Sequence, residues 1–208
     1  MSGSVDHVRV SAAIRSAEKS TSGEIYCVLA RSSDGYFHPA AAVLSAAILI
    51  ASVFVALWLE TRWDQIGASV FAIAQCLALA TGLAVLKAFP ALRIRLVPKR
   101  VRYAKAHGNA VRQFLARNVH TTSARTGVLI FVSLAERYAE VVADAGINEK
   151  VPQSDWNRIV ADLTQAASAG QLTEGFEGAI AASGALLAQH FPYRPHDRNE
   201  LDDKLVEI

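Results

Sequence analysis

The side chains of this sequence best suited to metal binding and proton transfer are its six histidines. No two of them stand at the spacing of paired ligands on one helix, and none has a neighbouring cysteine. The sequence also lacks the G-x-S-x-G, G-x-G-x-x-G and P-loop patterns of serine hydrolases and nucleotide-binding proteins. We therefore expect surface or interfacial positions for His7, His38, His107, His120, His190 and His196.

The charged side chains are distributed unevenly along the chain. Residues 93–125 contain nine basic and no acidic residues, whereas residues 126–208 contain six basic and thirteen acidic ones. A basic segment beside a membrane gains about 1 kcal/mol per Lys or Arg near anionic headgroups. Membrane attachment accounts for such a segment without nucleic acid, so we expect membrane lipids and no nucleic acid as its partners. The predicted basic patch consists of Arg93, Arg95, Lys99, Arg100, Arg102 and Lys105.

Two long apolar windows predict a transmembrane hairpin. The chain is 52% hydrophobic and only 19% charged, whereas a soluble domain has about 25% charged residues. Pro39–Leu59 and Ile66–Leu86 contain no Asp, Glu, Lys or Arg, and a helix of this length measures about 32 Å, which matches a hydrocarbon core of about 30 Å. Two helices buried in a soluble core are the alternative. We predict a hairpin over residues 39–90, with spans at about 39–59 and 66–89.

The basic residues that follow the second span predict the orientation of the hairpin. Cytoplasmic flanks of transmembrane helices are enriched in Lys and Arg, so we expect both termini in the cytoplasm and the short connection outside. Cys27 falls in a predicted strand and Cys76 in the second span. We therefore expect no disulfide between them.

The remaining sequence predicts one domain interrupted by the hairpin. A helix over residues 5–20 and a strand at Glu24–Ala30 precede the spans, and a helix at Val101–Val119 follows them. Apolar runs at Gly127–Ser133 and Tyr138–Ala143 predict a strand hairpin. Because a lone helix and strand cannot bury their apolar faces, we expect the first strand to pair with this hairpin.

Two more helices complete the predicted domain. Their N-caps are predicted at Ser154 and Thr173, and Gly178 and Gly184 in the second helix would allow a close helix contact. The resulting order predicts a three-layer α/β arrangement. The predicted organisation is a first part at residues 1–38, the hairpin at 39–90, the remainder at 91–192 and a polar C-terminal tail at 193–208. The tail is either loose or a short helix that docks on a partner.

Four stretches resemble the TPM domain family, named after thylakoid-lumen, photosystem-associated and acetylcholine-receptor-modulating members. They are "STSGEIYCVLA", "ARTGVLIFVSLAERYAEVVADAGI", "WNRIVADLTQAASAGQLTEGFEGAI" and "LLAQHFP". The chain looks most similar to a bacterial branch in which a two-span hairpin interrupts the domain. The resemblance implies an α/β fold, a three-layer α/β/α TPM-like domain interrupted by a two-helix transmembrane hairpin, in a two-pass protein of the bacterial inner membrane.

The resemblance also implies candidate site residues, because some members are described as acid phosphatases or as calcium binders near acidic loops. In this chain Asp144, Asn148 and Glu149 would offer oxygen ligands to calcium or magnesium, and Arg137 would hold an anion. The alternative is that Glu136 and Arg137 form an exposed turn and that "DAGINE" is an ordinary loop. Candidates at predicted strand ends are Glu24, Glu136, Arg137, Asp144, Asn148 and Glu149.

One departure from the family pattern argues against catalysis. Other branches have acidic residues near the helix that precedes the "TGVLIFVS" strand, whereas this chain is uniformly basic there and would repel a cation. Thylakoid relatives linked to photosystem maintenance suggest another membrane protein or complex as the partner. We therefore expect a non-catalytic binding or accessory subunit of a membrane protein assembly at the cytoplasmic face, without a cofactor. A divalent-metal-dependent phosphatase is the alternative.

Overall fold

The computed structural model describes residues 5–61, 67–122, 125–193 and 199–208. The chain divides into two units by its internal contacts. The described residues of Met1–Ser33 and Tyr103–Ile208 form the α/β unit, and those of Asp34–Arg102 form the hairpin unit. Most of the predicted connection between the spans, the start of the second predicted span at Ile66, and His196 lie outside the described residues.

The α/β unit contains a four-stranded sheet in the order β3-β2-β1-β4. β1 pairs in parallel with β2, and Ile25 lies opposite Val128, while β3 is antiparallel to β2. Every residue of β1 and β2 is buried, as expected for parallel strands covered on both faces. The strands are β1 Glu24–Ala30, β2 Gly127–Ser133, β3 Tyr138–Ala143 and β4 Leu205–Glu207. The first three have the predicted bounds, and the predicted pairing of the first strand with the strand hairpin is confirmed.

Helices cover both faces of the sheet and produce the predicted three layers. Ile25 and Cys27 of β1 belong to a core shared with three helices, α1 His7–Glu18, α7 Gln153–Ser168 and α8 Leu172–His190. On the other face Tyr26 and Val28 pack with Ala110 of α5 Lys99–Ala116 and with a 3₁₀ turn at Val119–Thr121. A short helix, α6 Ala145–Asn148, follows β3. Both cysteines are free, as predicted.

The first turns of the helices differ from the predicted caps. Asp6 caps α1, because its carboxylate accepts hydrogen bonds from the amides of Val8 and Arg9. The predicted caps at Ser154 and Thr173 are wrong, since both residues lie inside the first turns of α7 and α8. The Thr173 hydroxyl instead accepts a hydrogen bond from the Asp6 amide at 3.1 Å. A tertiary contact between the starts of α1 and α8 has therefore taken the place of a local cap.

Gly184 makes the close helix contact that the sequence predicts. A Cβ atom at this position would lie 2.7 Å from the Cβ of Ala17, so α8 meets α1 at van der Waals distance there. Gly178 has open space around it, and its predicted contact role is wrong. A single glycine on the face towards α1 is enough for this contact.

The C-terminal segment contains a strand that the sequence does not predict. β4 pairs in parallel with Cys27–Leu29 of β1, and Leu205 is buried. Both alternatives for the tail, loose or helical, are therefore wrong for Leu205–Glu207. An edge strand of three residues is too short to show an alternating pattern, and the residues around it are polar. The sequence therefore does not indicate β4.

The hairpin unit consists of α2 Phe37–Glu60, α3 Ala68–Ala88 and a short helix, α4 Pro90–Leu96. Both α2 and α3 are long and apolar enough to cross a membrane, and only 6% of the most apolar stretch of each is buried. Two helices buried in a soluble core would not leave this surface exposed. They pack closely, since a Cβ at Gly82 would lie 2.8 Å from the Cδ2 of Leu44.

Candidate functional site

A buried polar cluster lies at the carboxyl ends of β1 and β2, which is where open α/β sheets bind ligands. Its centre is Glu136, whose side chain is only 2% exposed. One carboxylate oxygen accepts hydrogen bonds from the Ser33 amide at 2.9 Å and the Ser32 hydroxyl at 3.3 Å. The other oxygen accepts from the Ser133 hydroxyl. We call Ser32, Ser33, Asn109, Ser133 and Glu136 the Glu136 cluster.

The sheet and the turn after β2 position these side chains. Ser133 ends β2 opposite Ala30 of β1, and the Leu134 amide donates to the Ala30 carbonyl. The turn then folds Glu136 back over the strand ends. Its last residue, Arg137, has a left-handed backbone with φ 52°, which lets the chain reverse into β3.

Hydroxyl and amide groups from three parts of the chain complete the cluster. The hydroxyls of Ser33 and Ser133 lie 2.9 Å apart, and the Asn109 amide of α5 donates to Ser33 at 3.5 Å. These groups provide the hydrogen bonds that a buried carboxylate requires. The cluster therefore ties together the ends of β1 and β2 and the middle of α5.

The Glu136 cluster has the residue types of a nucleophile site, but a substrate cannot reach its serine hydroxyl. A serine hydroxyl that donates to a carboxylate is an arrangement that can activate the oxygen. However, Ser133 is 0% and Glu136 is 2% exposed. A substrate atom would have to come within about 3.5 Å of the hydroxyl for attack. Ser133 lines a cavity of about 210 Å³, but its side chain has no solvent-exposed surface, so the hydroxyl is closed to a substrate in this structure.

The exposed-turn alternative for Glu136 and Arg137 holds for only one of the two residues. Arg137 is exposed, whereas Glu136 is buried. The other members of the Glu136 cluster are residues that the sequence does not predict for this role, namely Ser32, Ser33, Asn109 and Ser133. The available signal was a pair of serines that follows β1 after one intervening residue, together with a serine that ends β2. All three are polar residues at the carboxyl ends of neighbouring parallel strands.

The predicted cation ligands lie at the opposite end of the strands, after β3 and beside the start of β2. Asp144 caps α6 through a hydrogen bond from the Ala145 amide to its Oδ1 at 2.6 Å. The Asp144 amide donates to the Gly127 carbonyl at the start of β2. Asn148 donates to the Ala143 carbonyl at 2.9 Å, and Glu149 is exposed. The structure thus brings Asp144 and Asn148 to one loop and separates both from Arg137 and Glu136.

One carboxylate oxygen of Asp144 would suit a cation, but the residues around it do not complete a cation site. Asp144 Oδ2 is buried and has no hydrogen-bond partner in the described structure. Calcium takes 6–8 oxygen ligands. Within the described ranges no group of three or more His, Cys, Asp or Glu side chains could hold a metal. These residues therefore do not fit an enclosed calcium or magnesium site, and the ligand assignment stays a prediction.

Arg137 lines a small cavity between the strand hairpin and α7. The cavity has a volume of about 210 Å³, and its walls include Val132, Leu134, Ala139 and Thr164. The guanidinium is exposed at this position. Its predicted role in anion binding remains a prediction.

Carboxyl groups gather at the amino end of β1, where Glu24 is buried. One Glu24 oxygen accepts a hydrogen bond from the Glu200 amide at 3.2 Å. Glu18 accepts one from the Ile25 amide at 2.9 Å, and its carboxyl is hydrogen-bonded to that of Asp203. Burial is the largest cause that raises the pKa of Glu18 from 4.5 to about 8; the hydrogen bond from the Ile25 amide lowers it, and the charges of Glu24 and Asp203 contribute to the rise. Burial also raises the pKa of Glu24.

Replacing Glu18 by glutamine is expected to remove a pH-dependent loss of stability. The pKa of Glu18 is raised from 4.5 to about 8 on folding. Its contribution to the free energy of unfolding is therefore fully present below pH 4.5 and is lost as the pH rises through about 8. At pH 9 Glu18→Gln should be more stable than wild type by about 1–2 kcal/mol, a value reduced for solvent screening.

Thermal unfolding of both full-length proteins at pH 5 and pH 9 in mild detergent would measure this effect. Glu149→Gln serves as the control, since Glu149 is exposed and is not one of the carboxyl groups gathered at the amino end of β1. A Glu18→Gln advantage that is equal at the two pH values would contradict the prediction.

The predicted basic patch is divided between α4 and the first turns of α5. Arg93 is partly engaged within the hairpin unit, where its guanidinium donates to the carbonyls of Leu86 and Lys87 at 2.7 and 2.9 Å. These bonds cap the carboxyl end of α3, where a positive charge is favoured. Arg102 is partly buried. The exposed members are Arg95, Lys99, Arg100 and Lys105.

Comparisons with known proteins agree with this mixed α/β architecture. Residues 92–186 match the model of a family described as the TPM domain. The structure is similar to the NMR structure of the BA42 protein from the psychrophilic bacterium Bizionia argentinensis, with a TM-score of 0.58 and 19% identity over 97% of this chain and 91% of BA42. At this identity the similarity concerns the fold. No curated protein matches the sequence.

The chain therefore carries a TPM domain at residues 92–186 together with two apolar helices. The matched range begins after α1 and β1. The structure nevertheless places both elements in the α/β unit, where β1 is a central strand of the sheet.

Proposed function

We propose that the chain is a protein of the bacterial inner membrane, anchored by α2 and α3, whose α/β unit is a non-catalytic binding module for a membrane protein assembly. One observation carries this proposal: two helices long enough to cross a membrane, each only 6% buried, are inserted between the two halves of one α/β unit. Exposed apolar surface of this extent costs free energy in water and none in lipid.

The charge of the segment after α3 supports a cytoplasmic position for both termini. Arg95, Lys99, Arg100 and Lys105 are exposed there, and such residues are enriched on the cytoplasmic side of transmembrane helices. The same side chains are suited to anionic lipid headgroups. The proposed partners are therefore membrane lipids and another membrane protein or complex.

The closed Glu136 cluster supports the non-catalytic role. Its carboxylate is saturated by protein donors, and Ser133 is fully buried. The alternative, a divalent-metal-dependent phosphatase, depends on the unpaired Asp144 Oδ2. Arg137 precedes β3 and Asp144 follows it, so a substrate phosphate held by Arg137 would be separated from a cation at Asp144 by the length of this strand.

The proposal is tested on the full-length chain expressed with a C-terminal epitope. We expect it to remain in the membrane after alkaline carbonate extraction and to lose the epitope to protease only in inside-out vesicles. In mild detergent it should co-purify with a second membrane protein. Release by carbonate, an epitope cleaved only from outside, or migration without a partner would each contradict the corresponding part.

A phosphate ester assay separates the two candidate functions. The purified full-length protein is expected to show no turnover of p-nitrophenyl phosphate with calcium or magnesium. Turnover that disappears in Asp144→Ala, while the thermal unfolding of that variant resembles wild type, would favour the phosphatase.

A further inference from the structure

Gln75 is a polar side chain within the apolar helix α3, and only one of its three hydrogen-bonding groups is used. Its Nε2 donates to the Ser52 hydroxyl of α2 at 2.8 Å, and that hydroxyl donates to the Leu49 carbonyl at 2.7 Å. A glutamine amide offers two donors and one acceptor. In the described structure no other hydrogen bond to Gln75 is present, so one N–H and the carbonyl oxygen remain unpaired.

The position of Gln75 along the helix makes this unusual. At 1.5 Å per residue, Gln75 lies about 10 Å from the Ala68 end of α3. In a membrane with a hydrocarbon core of about 30 Å, that depth is well below the headgroups. Polar side chains at such depths are rare and are satisfied by other helices. Water and headgroups cannot supply the missing partners here.

A groove surrounds the amide on the surface shared by α2 and α3. It has a volume of about 410 Å³, and its walls combine larger apolar side chains, among them Leu59 and Phe71, with the small side chains of Ala51, Ala74 and Ala78. Small side chains of this kind let another helix approach closely. The groove thus combines room for a helix with the partly unpaired amide of Gln75 in its wall.

We propose that this groove binds a second copy of the chain, so that two hairpins associate about a twofold axis with their Gln75 amides hydrogen-bonded to each other. An amide with one free donor and one free acceptor is complementary to itself. Because the two copies are related by a twofold axis, each hydrogen bond that one copy donates is matched by the same hydrogen bond from the other copy. A second copy also presents its amide at the same depth, which an unrelated span would do only if it carried a polar residue at that level.

This inference rests on the membrane placement proposed above, which the same experiment tests separately. Full-length protein, labelled in two batches with donor and acceptor dyes at its amino terminus, is reconstituted into phosphatidylcholine/phosphatidylglycerol vesicles. Energy transfer should rise with the protein-to-lipid ratio and reach a dimer plateau. For Gln75→Leu we expect dimer affinity to fall about 10-fold, the value for two lost interhelical hydrogen bonds.

Thr81→Val is the matched control. It removes another polar group from α3, but Thr81 is not among the residues that line the groove, so its dimer affinity should equal that of wild type. Wild type that is integrated and monomeric at every ratio would overturn the dimer, as would Gln75→Leu with unchanged affinity. Wild type that carbonate releases from the vesicles would instead contradict the membrane placement.

Discussion

Gly127→Ala is expected to destabilise the α/β unit by about 3 kcal/mol, at the upper end of the range for overpacked sites. A Cβ at this position would lie 2.1 Å from the Val119 carbonyl oxygen and 2.8 Å from Val119 Cγ1. The backbone at Val119 belongs to the 3₁₀ turn, so no side-chain rotation relieves the clash. Gly127 also cannot move freely, because it pairs with Glu24 and its carbonyl accepts from the Asp144 amide.

The same substitution at Gly108 provides the control. Gly108 lies in α5 with no atom within 4 Å of the position that a Cβ would take. Alanine there should stabilise the protein by about 0.5–1 kcal/mol, since it is the better helix former. Urea unfolding of the full-length proteins in mild detergent, followed by pulse proteolysis, measures both values. A Gly127→Ala variant as stable as wild type would contradict the close contact between the 3₁₀ turn and β2.

Glu136→Ala is expected to cost about 2–4 kcal/mol, because the Ser33 amide and the buried Ser133 hydroxyl lose the carboxylate that accepts their hydrogen bonds. The Ser32 hydroxyl loses the same acceptor, but Ser32 is exposed and water can replace the carboxylate there. The loss should also be visible locally. Hydrogen exchange of the peptide that contains the Ser33 amide should accelerate more than that of β3.

Arg137→Ala is the control for Glu136→Ala, since the side chain of Arg137 is exposed and takes no part in the hydrogen bonds described for the Glu136 cluster. Its left-handed backbone is equally strained with either residue, so stability should stay within about 0.5 kcal/mol of wild type. Equal stability of Glu136→Ala and Arg137→Ala would refute the anchoring role of the Glu136 cluster.

Local sequence patterns were sufficient where burial follows from composition. Gly127–Ser133 is apolar from end to end and is bounded by a glycine and a serine, so a buried strand was the only way to hide every side chain. The same reasoning located α2 and α3, because long windows without charge form helices that expose apolar groups on every side. β4 escaped this reasoning, because three residues carry too little periodicity.

The sites depended on contacts that no local pattern records. Glu136 follows an apolar strand and precedes an arginine, which is a sequence typical of an exposed turn. Its burial results from Ser33, whose hydroxyl meets that of Ser133 across a separation of 100 residues. Glu24 likewise meets the Glu200 amide across 176 residues. Each neighbour was visible in the sequence as an ordinary polar residue in a loop.

The sequence alone determined the first three strands, the long helices and the layers that they build, because hydrophobic runs and their lengths dictate which segments must leave water. Only the tertiary structure decided which polar groups are buried together, which cap is used and which glycine is crowded. Those outcomes depend on pairs of distant residues brought within a few ångströms. Such distances arise from the packing of whole elements and have no counterpart in residue type or spacing.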